Sequence, residues 1–183
     1  VVDRRDEIFW LENPGKDEVR SEWTRKKLHP HGPMFMTIGD VNGDGLDDMI
    51  FAGGKEGVRP WKMALTILLR TNRSGDPKFK EIIIDQPCGN FTKGVGLADF
   101  NGDGLTKEIV GVPQVGDLWL ATYQDDAMKA ENWTAEPIPV PGAHTRKKMD
   151  NAYLADLDGD GDTDIVTTEE NGGWGVIWFE NPR

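Results

Sequence analysis

The chain has 183 residues, of which 32 are Asp or Glu and 21 are Lys or Arg, so its formal net charge is -11 at pH 7. This length can bury a substantial core, and the acidic balance argues against nucleic acid and anionic membrane surfaces as partners. The lone Cys88 excludes an internal disulfide, and no apolar run reaches the roughly 18 residues that suggest a membrane-spanning helix. We therefore expect a globular chain without a nucleic-acid partner and without membrane insertion.

The chain opens with an element that returns at its end. The sequence Trp-Leu-Glu-Asn-Pro begins at Trp10, Trp-Phe-Glu-Asn-Pro begins at Trp178, and the two tryptophans lie 168 residues apart. This interval holds three repeats of about 56 residues, which is a period typical of repeat architectures. The sequence therefore predicts a chain built from one recurring unit.

Three loops carry the most informative residues of the repeat, at 40–48, 99–107 and 156–164. Side-chain oxygens stand at every second position, and the glycines between them permit the positive φ that a tight curl needs. Because calcium takes six to eight oxygens at about 2.3–2.6 Å, we predict a calcium site in each loop. The predicted ligands are the side chains of Asp40, Asn42, Asp44, Asp48, Asp99, Asn101, Asp103, Asp156, Asp158, Asp160 and Asp164, and the backbone carbonyls of Leu46, Leu105 and Asp162.

The second loop departs from the pattern at its ninth position. Lys107 stands where Asp48 and Asp164 supply the last carboxylate. We therefore expect two well-formed calcium sites and a third that is weaker or empty unless Glu108 or a water substitutes.

Short apolar runs flank each loop, which predicts a hairpin rather than a pair of helices. An EF-hand loop closes with an acidic residue at its twelfth position, but here that position is Phe51, Val110 or Thr167. In the second repeat the runs predict strands over 94–98, 108–112, 117–123 and 133–140. Prolines at 137 and 139 fit an edge strand, which needs fewer backbone donors.

A strand, the loop D-x-[ND]-G-D-G-x-x-D and a second strand together resemble the FG-GAP or VCBS repeat. The resemblance implies all-β architecture, with blades of four antiparallel strands in a calcium-binding β-propeller. On this basis residues 1–30 end one blade, 31–87 and 88–141 form two blades, and 142–183 begin a further one. Since a ring usually needs four to eight blades, we expect further blades from the same or another chain, in a ring of about seven.

The tryptophan element also gives a local resemblance to the propeller of aldos-2-ulose dehydratases. It covers residues 10–15, the Trp-Thr pair at 23–24 and the loop at 156–161. Trp10 and Trp178 are expected to fill gaps between neighbouring blades, and sugar stacking by some of the seven tryptophans is the alternative. The resemblance implies a link to carbohydrate.

Histidines near the predicted propeller mouth give a candidate catalytic set. His31 and His144 precede their aspartate loops by 9 and 12 residues, and Arg146 follows His144 closely. They could remove a proton next to a carbonyl and stabilise the enolate, bind a transition metal, or simply contact water. Two functions therefore stay open, both outside the cytoplasm: a secreted or surface module that binds carbohydrate or protein, or a carbohydrate lyase or dehydratase.

Overall fold

The computed structural model describes residues 2–3, 7–53, 64–84, 90–141 and 148–182, and their regular structure is almost entirely β. The first and second sheets are antiparallel, and each strand pairs with the next one along the chain. The first sheet comprises β1 (Val2–Asp3), β2 (Glu7–Glu12) and β3 (Thr24–His29), and the second comprises β4 (Met36–Gly39), β5 (Asp48–Ala52), β6 (Leu65–Arg70) and β7 (Phe79–Ile84).

The third and fourth sheets repeat the same antiparallel order. The predicted all-β class and four-stranded units are therefore confirmed, while ring closure stays a prediction. The third sheet comprises β8 (Asn90–Ala98), β9 (Glu108–Val115), β10 (Leu118–Tyr123) and β11 (Trp133–Ile138), and the fourth comprises β12 (Tyr153–Ala155), β13 (Asp164–Glu169) and β14 (Gly175–Phe179).

The structure adds details that periodicity did not give. The first sheet has a short strand, β1, beyond the two strands expected there. Pro137 lies in β11 at the edge of its sheet, as predicted, whereas Pro139 falls after the strand ends. A 3-10 turn at Ala130–Asn132 precedes the edge strand β11.

Both faces of the middle sheets are buried, which explains the nearly continuous apolar runs around the loops. In β5, Ile50 belongs to a cluster shared with the third sheet, whereas Phe51 joins a cluster shared with the first. In β9, Ile109 packs toward the second sheet and Val110 toward the fourth. Successive strand residues point to opposite faces of a sheet. Each middle sheet therefore packs against one neighbouring sheet on each of its two faces.

The third and fourth sheets also meet along the innermost strand, β8. A Cβ added to Gly94 would lie 2.6 Å from the Cα of Asn151, so only glycine permits this approach. The adjacent Lys93 is 4% exposed; its ammonium donates to Asp150 and, at 2.9 Å, to Glu170. A buried ammonium needs such partners, and these tie the two sheets together.

Candidate metal centre

The three aspartate loops occupy equivalent places in three sheets. Each joins the first strand of its sheet to the second: β4 to β5, β8 to β9, and β12 to β13. Gly159 and Gly161 adopt φ of 82° and 97°, and both glycines of each other loop are also positive in φ. The predicted tight curl is therefore present in all three loops.

Backbone N–H groups donate hydrogen bonds that hold each loop in this curl, and the aspartate at the first position accepts at least two of them. Asp40 accepts from the N–H of Asp44 (3.0 Å) and of Gly45 (2.8 Å). Asp156 accepts equivalently from Gly159 (2.7 Å) and Gly161 (3.2 Å). These bonds aim the carboxylate at the concave side of the loop, where the N–H groups converge.

The ninth-position carboxylate fastens the loop to the sheet. Asp48 is fully buried and accepts from the N–H of Val41 (3.1 Å) and of Arg70 (2.7 Å). Burial raises the pKa of Asp48 to about 6, the two N–H donors oppose this rise, and the charges of Asp44 and Asp40 add to it. A cation beside this carboxylate would favour its ionised form.

Asp164 fills the same position in the third loop. It accepts from the N–H of Leu157 (3.0 Å) and of Asn181 (2.9 Å), and these two bonds lower the pKa of its carboxyl. The amide of Asn181 also donates to the carbonyl of Phe100 at 3.1 Å. The repeated tryptophan element thus contributes its asparagine to the loops, a role that the sequence analysis had not assigned.

The third loop gathers the most negative charge. Ligand oxygens of Asp156, Asp158 and Asp164 all lie within 4.8 Å of one another, and the loop holds five carboxylates with no basic residue. Asp160 points one oxygen at the N–H of Asp162 (3.1 Å). Clustered carboxylate oxygens of this kind are the ligands that calcium prefers, so the donor set fits the predicted cation.

The first loop has a related donor set with one neutral ligand. Its third position is Asn42, which accepts from the N–H of Asp44 (3.1 Å) and donates to that residue's carboxylate (3.1 Å). Its carboxylates are Asp40, Asp44 and Asp48 of the predicted ligand set and Asp47 outside that set, and residues 40–48 contain no lysine or arginine. Among the described residues, only the third loop brings three such ligand oxygens within 4.8 Å of one another, so the first loop fits a divalent cation by its donor types and not by their convergence.

The second loop does not fit as well, because a lysine neutralises it from within. The Lys107 ammonium lies 2.6 Å from the Asp103 carboxylate, an interaction that lowers the pKa of Asp103 and raises that of Lys107. Glu108 is 1% exposed and accepts from the N–H of Phe100 (3.1 Å) and the amide of Asn101 (2.9 Å). Glu108 thus takes over the fastening role of the ninth-position aspartate.

The predicted catalytic set is described only in part. His144 and Arg146, like Cys88, lie outside the described residues. His31 donates its backbone N–H to Nδ1 of His29 (3.2 Å), and His29 ends β3, buried, with Nε2 3.0 Å from Glu81. No observation on the described residues favours elimination chemistry, so the lyase or dehydratase hypothesis stays a prediction.

Tryptophans near the loops differ in their surroundings. Trp10 and Trp23 line a cavity of about 550 Å³ between the first and second sheets, together with Arg70. The indole N–H of Trp23 donates to the carbonyl of Val19 (3.0 Å). Trp178, on the fourth sheet, is 44% exposed. Within the part of the chain that the structure describes, it therefore does not fill the predicted gap between two sheets.

Comparison with known proteins agrees with the repeat seen in the fold. Residues 40–110 match the family model described as FG-GAP-like repeat. A mouse (Mus musculus) protein, phosphatidylinositol-glycan-specific phospholipase D, is 30% identical over 145 residues, covering 72% of this chain and 17% of the relative. No solved structure matches significantly, and the resemblance to aldos-2-ulose dehydratases stays a prediction.

The relative is therefore several times longer than the segment it shares with this chain. Among the described residues, no helix is long and apolar enough to cross a membrane. The FG-GAP assignment concerns the repeat and its fold, and what the chain binds has to be argued from its own residues.

Proposed function

We propose that this FG-GAP repeat chain is a calcium-braced β-propeller module of a secreted protein, and that it binds glycans or protein partners. The observation that carries the proposal is the convergence of Asp156, Asp158 and Asp164 within 4.8 Å. Like charges this close repel one another, and a divalent cation would turn the repulsion into attraction. In this proposal the first loop holds a second calcium.

The role of calcium is structural in this proposal. Each loop joins the first two strands of its sheet, so a cation that draws the carboxylates together also fixes the turn between those strands. A ligand that binds only the folded state adds about 2.7 kcal/mol at a hundredfold excess over Kd. Two such sites would contribute as much as the whole net stability of a small domain, which is about 5 kcal/mol at its lower end.

Calcium concentration connects this role with location. Extracellular calcium-binding modules have Kd values of roughly 0.1–1 mM, so their sites fill outside the cytoplasm. The formal charge of -11 is also best tolerated where calcium can offset part of it. We therefore place the module in a secreted or surface-exposed protein.

Isothermal titration of the full chain with calcium, after treatment with chelator, tests the central claim. We expect the number of bound ions to fall by one in Asp160→Asn. This variant keeps an oxygen acceptor for the N–H of Asp162, which Asp160 holds at 3.1 Å, but loses the charge at a position where all three loops carry aspartate. The matched control is Asp47→Asn, which removes an exposed carboxylate outside the predicted ligand set.

Urea unfolding with and without calcium gives the second readout. Wild type and Asp47→Asn should gain the same stability from calcium, and Asp160→Asn should gain less. If wild type binds no calcium at millimolar concentration, or if Asp160→Asn binds as many ions as wild type, the proposal is wrong.

Two observations support a glycan as the ligand. The cavity beside Trp10 and Trp23 offers indole surface next to the guanidinium of Arg70, and aromatic faces suit the apolar side of a pyranose ring. The mouse relative is named for specificity toward a phosphatidylinositol glycan. We propose this cavity, called the aromatic groove below, as the glycan-binding surface.

An oligosaccharide array screened with the calcium-loaded chain tests the glycan proposal. Trp23→Ala should weaken binding to any positive glycan about tenfold, equivalent to 1.4 kcal/mol. Trp174→Ala is the matched control, because Trp174 is 37% exposed and Trp23 is 36% exposed. Binding that survives Trp23→Ala, or an array without positives, would leave a protein as the proposed ligand.

Further blades are the remaining partner in this proposal. On the outer face of the fourth sheet, Tyr153, Val166 and Trp178 stand side by side in register, and Tyr153 and Trp178 are 57% and 44% exposed. Equivalent faces of the second and third sheets are covered by a neighbouring sheet. A further blade packing here would bury this surface in the same way.

A further inference from the structure

In the second loop, the positive charge nearest the carboxylates belongs to a lysine of the loop itself, Lys107. Residues 99–107 contain two carboxylates, Asp99 and Asp103, and one ammonium, Lys107, so their formal charge is -1. The same count gives -4 for the first loop and -5 for the third. The loop with the least negative charge is the one in which a lysine reaches back to an aspartate.

The ammonium uses the oxygen that a metal would need. One oxygen of Asp103 accepts from the N–H of Leu105 at 2.9 Å, and the other lies 2.6 Å from Nζ of Lys107. In the third loop, by contrast, Asp160 has its first oxygen on a backbone N–H, and no lysine or arginine stands in residues 156–164. A calcium ion in the second loop would have to displace the lysine.

The rest of the loop is complete without a metal. Asp99 accepts from the N–H groups of Gly102 (2.7 Å) and Gly104 (2.8 Å), as the first-position aspartates of the other loops accept theirs. Glu108 fastens the loop by accepting from Phe100. The curl and its attachment are therefore both present, and the remaining charge on Asp103 is matched by Lys107.

We infer that the Lys107 ammonium takes the place of the divalent cation in the second loop, so that the chain binds calcium at two loops and not three. This inference rests on the proposed calcium-binding function for the first and third loops. It makes the second repeat independent of calcium concentration, while its neighbours on either side respond to it.

A gain-of-site variant gives the sharpest test. Lys107→Asp removes the ammonium and adds a carboxylate next to Glu108, which already pairs in the register of Asp48 and Asp164, so titration should rise from two bound calcium ions per chain to three. Lys107→Met removes the ammonium without adding a ligand, and it should lose thermal stability in chelator because Asp103 is left uncompensated. Lys129→Met is the matched control, since Lys129 forms an exposed pair with Asp126 at 3.8 Å.

The outcomes separate this inference from the proposed function. If wild type binds three calcium ions, the inference is wrong. It is also wrong if wild type and Lys107→Asp both bind two. In either case the proposed binding at the first and third loops would stand. No calcium on the wild type would overturn the proposed function and the two-site count with it. If Lys107→Met is as stable in chelator as Lys129→Met, the ammonium does not brace the loop and the inference is wrong.

Discussion

The second and third aspartate loops share a curled backbone, although the second is one residue longer between its paired strands, and they differ in their electrostatics. Both curl on two glycines of positive φ, and both hold a first-position aspartate against backbone N–H groups. The third loop brings Asp156, Asp158 and Asp164 together, whereas in the second Lys107 pairs with Asp103. In our proposal the third loop therefore takes a metal ion, whereas the second contains its own cation, the Lys107 ammonium.

The comparison shows that the loop is specified by two separate requirements. Glycines and backbone acceptors set the path of the chain, and these are alike in the two loops. Neutralising the inward-facing carboxylates is a second requirement, which a metal or an ammonium can meet. In our proposal, a repeat can then change its dependence on calcium through the residues that face the inside of the loop, while its strands still pair.

Removing the fastening carboxylate from each loop should give the largest effect. Glu108→Ala leaves the N–H of Phe100, a residue that is 9% exposed, without its acceptor, and an unsatisfied buried donor costs roughly 1–3 kcal/mol. We expect this loss to be the same in calcium and in chelator, because we infer that the second loop binds no metal. Urea unfolding under both conditions measures it.

Asp164→Ala is the matched variant in the third loop. It removes the acceptor of the Leu157 N–H and, in our proposal, a calcium ligand as well, so its loss should be greater in calcium than in chelator. A Glu108→Ala loss that shrinks in chelator would mean that Glu108 is itself a calcium ligand, and the contrast between the loops would fail.

Much of the fold could be predicted because its signals are local. The run from Glu108 to Val112 lies within the observed β9, and the prolines near 137 marked the edge of the third sheet. The glycines of all three loops fixed the curl in advance, since few other residues adopt positive φ. Strand β1 has only two residues, so it gave no periodic pattern.

The site was less predictable because its partners are far apart in sequence. Asp48 was expected as a ligand, but its bond to the N–H of Arg70 depends on how β6 pairs with β5. The bond between Asn181 and Phe100 spans two sheets. Glu108 was considered only as a replacement ligand, and its bond to Phe100 becomes visible when the loop's path is known.

A carboxylate that accepts from several backbone N–H groups sharpens the comparison further. Glu169 ends β13, is 7% exposed, and accepts from the N–H groups of Lys148 (3.1 Å), Asn171 (2.7 Å) and Gly172 (2.6 Å). Burial alone would raise the pKa of Glu169, but these donors and that of Trp174 hold it at about 2. Among the described residues, the groups that compensate this charge are backbone N–H groups.

The sign of the pH effect follows from this depression. The folded pKa lies below the ordinary 4.5, so the stability that Glu169 contributes is present above pH 4.5 and is lost as pH falls toward about 2. Urea midpoints measured in chelator should therefore fall less steeply with acid in Glu169→Gln than in wild type. Glu136→Gln, an exposed change on β11, should follow the wild-type slope. If the slope is unchanged in Glu169→Gln, backbone N–H groups do not keep this carboxylate charged. The aspartate loops would then also need a positive charge, from a metal ion or from a lysine, to stay folded.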